Sequence, residues 1–295
     1  MTGNTAVYLH AGAHRTGTSS FQNMLSVNRD LLQDAGYRLA YPGRDGIEGG
    51  KLKLKLPTPR HAAGSDSQKF VQGATRQLAR LNRGAVAGLI LSEENIPGRM
   101  FHFYYGQFFP AAETRMKVLK QALPGPLRHL VYVVRPYGAL FTSGFRKRAE
   151  DNSVDDFANL RTNMMAIDTG WFELIAAFQA HLKPEKLTVI DYGARGQSTA
   201  LLEALLGQGL PDLQEPEQRI NTSATDRALE ALQDIYRKGE TLERDAWQDI
   251  ILRHADDNDP RRFATFTAAQ DATLKARYED DLNRIAALSD VTLIR

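Results

Sequence analysis

Four short runs of the chain are apolar without strict alternation: AVYLH (6–10), VAGLILS (86–92), LRHLVYVV (127–134) and KLTVIDY (186–192). Runs of this length, rich in Val, Ile and Leu, fit strands covered on both faces. Between them the apolar positions take a helical period. SFQNMLSVNRDLLQDAG sets Phe21, Leu25, Leu31 and Leu32 roughly on one side and stops at Gly36. FVQGATRQLARLN and TGWFELIAAFQAHL are similar, and TALLEALLG closes on Gly207. This alternation predicts βαβ units, an α/β fold with a central parallel sheet, and ligands at the carboxyl ends of the strands. From about Asn221 the pattern changes. SATDRALEALQDIYRKG, RDAWQDIILRHAD and AAQDATLKARYEDDLNRIAAL are charged amphipathic helices with no strand between them. The expectation is one domain over 1–295, with an α/β core over 1–220 and a helical appendage over 221–295.

The totals narrow the class without naming it. A chain of 295 residues, 42% hydrophobic, can bury a large core. Its 37 basic and 35 acidic side chains leave a formal charge of +2, which argues against a generic nucleic-acid coat but permits a local basic cleft. There is no cysteine, so disulfides, thiolate catalysis and cysteine-ligated metals are excluded. The first ten residues lack the basic start and apolar core of a signal peptide. No apolar run approaches the ~20 residues of a membrane span. The expectation is a cytoplasmic protein. The segment GRDGIEGGKLKLKLPTPRHAAGSDSQ, with Lys51, Lys53 and Lys55 alternating with leucines, reads as a surface hairpin or loop with a solvated basic face. No internal repeat is visible.

The chemistry begins in LHAGAHRTGTSSFQ. Gly12, four residues, Gly17, then Thr18 and Ser19 nearly match the phosphate-binding pattern G-x-x-x-x-G-K-[ST], with Thr18 in place of the lysine. The glycines permit tight turns whose N–H groups point at an anion, and the following helix adds its unsatisfied donors and positive end. Thr16, Thr18, Ser19 and Ser20 supply hydroxyls, and Arg15 supplies a fixed charge. Without the lysine that clamps a triphosphate, the loop suits a phosphate or sulfate group better than ATP. A second element follows the third run: Arg135 at the strand end, Pro136, then a helix carrying Ser143 eight residues beyond Arg135. Arg135 and Ser143 can bind one anion together. Arg146, Lys147 and Arg148 continue on that helix and read mainly as a solvated face.

The first loop resembles that of sulfotransferases that use 3′-phosphoadenosine 5′-phosphosulfate, especially bacterial members with a His-Lys-Thr-Gly-Thr-Thr/Ser pattern. The resemblance implies a P-loop-like three-layer α/β/α sandwich. It implies a 5′-phosphosulfate held by His14, Arg15, Thr16, Gly17, Thr18 and Ser19, and a 3′-phosphate held by Arg135 and Ser143. The product would be adenosine 3′,5′-bisphosphate, with no metal required. Here Arg15 replaces the family's loop lysine; it keeps the charge and forks two donors but cannot give up a proton. RINTSAT (219–225) resembles a segment that returns towards the nucleotide, and YEDDLNRIA the closing helix. Arg237-Lys238-Gly239 matches a 3′-phosphate motif only by coincidence.

Sulfuryl transfer is an in-line displacement that needs positioning, charge stabilisation and a base for the acceptor. The implied catalytic residues are Arg15 and Glu94, the latter at the end of GLILSEENIPG. Glu93, His10, His14 and His102 remain open as alternatives to Glu94 or as structural groups. The acceptor would be a hydroxyl or amine of a small molecule, lipid or glycan. MFHFYYGQFFP (100–110) either lines its pocket or packs a helix on the sheet. A P-loop kinase or hydrolase, or a non-catalytic nucleotide-binding protein of the same fold, would share the loop. The oligomeric state is not legible.

Overall fold

The computed structural model describes residues 5–44, 46–62, 67–217, 223–257 and 262–295. Strand β1 (Val7–His10) leads to helices α1 (Thr18–Val27) and α2 (Arg29–Asp34), then strand β2 (Tyr37–Ala40). Helices α3 (Pro59–Ala62) and α4 (Ser67–Leu81) precede β3 (Gly88–Ser92), and α5 (Ala112–Ala122) precedes β4 (Leu127–Val134). Helices α6 (Tyr137–Ala149), α7 (Phe157–Met165) and α8 (Trp171–Ala177) lead to β5 (Lys186–Asp191). The remainder is α9 (Ser198–Leu206), α10 (Asp226–Tyr236), α11 (Arg244–Arg253), α12 (Ala268–Ala286) and β6 (Val291–Ile294).

The sheet is six-stranded and all parallel, in the order β2-β3-β1-β4-β5-β6. Its non-alternating runs are explained by two cores. Leu130, Tyr132 and Val134 of β4 join one core with helices such as α5, α6 and α8. Val131 and Val133 point the other way, to Phe21, Leu25, Leu201 and Leu205 of α1 and α9. Both faces are covered, giving a three-layer α/β/α sandwich. The chain runs outward from β1 to β2 and β3 on one side, then crosses to β4 on the other. The crevice at the carboxyl end of β1, where that direction reverses, is where such folds bind ligands.

Two expectations change. The first predicted helix is split at Asn28, whose side-chain amide donates to the Met24 carbonyl and to the Gln214 carbonyl, 2.8 Å each, while its oxygen accepts from the Gln214 N–H. The reading of 221–295 as a helical appendage needs a larger correction. The chain ends in β6, which pairs in parallel with β5, and α12 buries Leu274, Tyr278, Leu282 and Ile285 in the main core. Tyr278 donates to Asp191 at the end of β5 at 2.8 Å, and Tyr137 of α6 donates to buried Asp281 of α12. A four-residue edge strand with half-exposed side chains leaves little hydrophobic signal, which hides β6; β2 is mostly buried, but at four residues directly after Gly36 it is too short to stand out.

Lys51, Lys53 and Lys55 are exposed while Leu52 and Leu56 are buried, so that loop is pinned by its leucines. Among the aromatics of 100–110, Phe103, Tyr104, Phe108 and Phe109 are core, and Phe101 and Tyr105 are exposed.

Candidate functional site

The site is built at the carboxyl ends of β1, β3, β4 and β5. After His10 the chain turns through a loop that Gly12 makes possible: a Cβ there would lie 2.7 Å from the Thr18 hydroxyl and 2.8 Å from the His10 ring. Thr16 is buried and donates to the Ala13 carbonyl at 2.6 Å, so it braces the loop from within. Gly17 takes the N-cap of α1 with φ 84°, and no side chain caps that helix end. The first turn of α1 carries no acidic residue, and Gly17, Thr18, Ser19 and Ser20 line the cleft, so an uncompensated positive helix end meets it.

Arg15 is held in a left-handed conformation, φ 63°, which a non-glycine residue adopts at a cost of roughly 1 kcal/mol. Two contacts hold it. Its Nε donates to Ser143 Oγ at 2.9 Å, and its carbonyl accepts from Arg135 Nη1 at 2.6 Å. Residues 120 or more positions apart therefore close on one loop. Arg135 stacks its guanidinium 4.9 Å from the Tyr192 ring, and its buried Nε has no partner.

A cleft of about 450 Å³ opens here. His14, Arg15, Gly17, Thr18, Ser19, Glu94, Arg135 and Ser143 all line it, whereas Thr16 and the alternatives Glu93, His10 and His102 do not. Arg44, Lys147 and Tyr192 join them. Among the described residues the cleft is lined by four basic side chains, Arg15, Arg44, Arg135 and Lys147, and by one carboxylate, Glu94, while Glu93 and Glu150 pair with Arg44 and Lys147 from outside it.

The two glutamates separate. Glu93 is buried, accepts from the Asn95 N–H at 2.9 Å and is gripped by Arg44 at 2.8 Å. Glu94 reaches the cleft, 3.0 Å from Arg44 and 3.6 Å from His14 Nδ1. Burial opposes ionisation of Glu94, but His14, then Arg44 and Arg15, outweigh it and lower its pKa to about 2. Burial likewise opposes the charge on His14, yet Glu94 and the Gly98 carbonyl, 2.9 Å from His14 Nε2, raise its pKa. Each group thus favours the charged form of the other.

His10 is a different case. It sits beneath the loop, shares a 3.1 Å hydrogen bond with Ser92 Oγ, and is kept neutral by burial and by Arg195, its pKa lowered to about 3. His102 lies outside the cleft, in a neighbouring cavity. Arg237 closes α10 and pairs with Asp156 at 3.2 Å, away from the cleft. Of the segment 219–225, residues 219–222 lie outside the described residues, and Ser223 lines the cleft.

Several site residues escaped the sequence. Tyr192 ends β5 as Arg135 ends β4, so the strand-end rule would have found it. Arg195, whose Nη2 donates to the Gly17 carbonyl at 3.0 Å and supports the left-handed turn, follows three residues later on the same logic. Arg44 stands in a Gly-rich loop with no pattern to distinguish it. Lys147 read as a solvated face, yet it lines the cleft, held at 2.6 Å by Glu150. No family model matches the sequence, and no curated protein matches it.

Proposed function

We propose that the chain is a sulfotransferase that moves a sulfuryl group from 3′-phosphoadenosine 5′-phosphosulfate to a hydroxyl or amine acceptor. The observation that carries this reading is the convergence of Arg15, Arg135 and Ser143 on the uncapped N-terminus of α1. The donor has two anionic ends, and the cleft offers two sets of donors. The loop N–H groups with Thr18, Ser19 and Arg15 suit the phosphosulfate. Arg135 and Ser143 suit the 3′-phosphate, and the unpartnered Nε of Arg135 is a buried N–H that such an anion would satisfy. When bound, the donor supplies an activated sulfuryl group whose leaving phosphate bears the developing charge. Donors fixed before the reaction stabilise that charge without reorganising.

Glu94 stays ionised across the neutral range, and its low basicity limits it as a ground-state base. In this reading it accepts a hydrogen bond from the incoming O–H or N–H and takes the proton late, as bond formation acidifies it. Arg15 contributes charge alone, because arginine does not release a proton at neutral pH.

Calorimetric titration tests the reading. Adenosine 3′,5′-bisphosphate is expected to bind in the micromolar range, more tightly than ADP or magnesium-ATP, with the preference lost in Arg135→Ala. Equal or tighter binding of magnesium-ATP would overturn it in favour of a nucleotide kinase or hydrolase.

A further inference from the structure

Behind His14 lies a second cavity of about 560 Å³, sharing no lining residue with the nucleotide cleft. His14 stands between the two. His14 faces Glu94 on the cleft side, while its Nε2 bonds the carbonyl of Gly98 and its ring stacks 6.3 Å from Phe109, both of which line the second cavity.

The walls of this cavity have a distinctive chemistry. Phe101, Tyr105 and Phe109 supply aromatic surface, and Tyr105 is 70% exposed. The charged groups are all of one sign: Arg60, Arg99 and Arg115, with no acidic residue among the described lining. Arg115 is half-buried and directs its guanidinium to backbone carbonyls, including Ile96 at 2.8 Å and Leu56 at 3.2 Å, with Glu93 the nearby carboxylate that offsets part of its charge. Arg60 and Arg99 are exposed and make no ion pair with described residues. The field is felt at His102, whose pKa is lowered first by burial and then by Arg115 and Arg99.

We propose that this cavity is a second ligand site, which binds the aromatic body of a small organic carboxylate. This binding does not depend on the sulfotransferase reading. A flat ring would lie against Phe101 and Tyr105 with its carboxylate towards Arg99 and Arg60. A volume of this size holds a two-ring molecule, and aromatic walls with a few convergent charges are what small-ligand sites use. A bare phosphate would leave the aromatic walls unused, and a neutral aromatic would leave the arginines unanswered.

Calorimetry with 2-naphthoate and with neutral 2-naphthol tests this on the intact protein. Naphthoate is expected to bind at least about tenfold more tightly, the size of one charge-assisted contact. The double variant Arg60→Ala/Arg99→Ala should remove that preference, and Phe101→Ala should weaken both ligands. Adenosine 3′,5′-bisphosphate should neither displace naphthoate nor lose affinity in these variants, which keeps the outcome separate from that of the nucleotide reading. Equal binding of the two naphthalenes, no binding of either, an unchanged preference in the double variant, or displacement by the bisphosphate would each overturn the proposal.

Discussion

At the scale of single residues, the site is defined by which charges are already answered. Glu93 is bonded to Arg44 and the Asn95 N–H, whereas Glu94 shares a proton-linked contact with His14. The linkage has a definite pH signature. The pKa of Glu94 is lowered from 4.5 to about 2, so its contribution to stability is complete above the ordinary carboxylate range and is lost as pH falls towards about 2. The pKa of His14 is raised from 6.5, so its contribution is complete below that value and is lost as pH rises through the folded-state value. The stability gap between the parent and Glu94→Gln, measured by urea unfolding, should therefore be widest between about pH 4.5 and 6.5 and narrow on both sides. A gap flat across pH would mean that the two groups share no such pair. Either residue could be picked from the sequence as a candidate. Their pairing could not, because they are 80 positions apart on different strands' ends.

Elements tell a similar story with a different outcome. The central strands were legible because each is buried on both faces, and a long apolar run survives any register. The strand β6 and the role of α12 were not, because an edge strand and a one-sided helix look alike in solution-facing and core-facing halves. Their integration has a measurable consequence. Leu282 of α12 is 1% exposed and packs in the main core, so Leu282→Ala should cost about 2–5 kcal/mol in the single global unfolding transition. A helix merely appended to the sandwich would instead melt in a separate, earlier step and leave the main transition in place. The aromatic stretch 100–110 divides along the same line. Its buried rings hold the layer to the sheet, and its exposed rings are free to meet a ligand.

For the whole molecule, a nearly neutral total charge conceals a strongly uneven distribution. Among the described residues, four basic side chains and one carboxylate line the cleft, and three arginines and no acid line the neighbouring cavity. Binding of adenosine 3′,5′-bisphosphate should accordingly weaken by about tenfold or more between roughly 0.05 M and 0.5 M salt, because screening shortens the reach of those charges. Titrations at graded ionic strength check this, and a flat response would mean that the cations are neutralised by the protein itself. The sequence by itself determined the α/β class, the glycine turn that opens α1 and the identity of Arg15, Arg135, Ser143 and Glu94 as cleft candidates. Local sterics and hydrophobic period are properties of neighbours in the chain, and they are written there. Only the tertiary structure decided that Arg15 bonds Ser143, that Arg44 and Lys147 enter the cleft, that Thr16 does not, and that the C-terminal residues finish the sheet. Those outcomes depend on which distant segments the parallel sheet brings to one end, and no local pattern encodes that meeting.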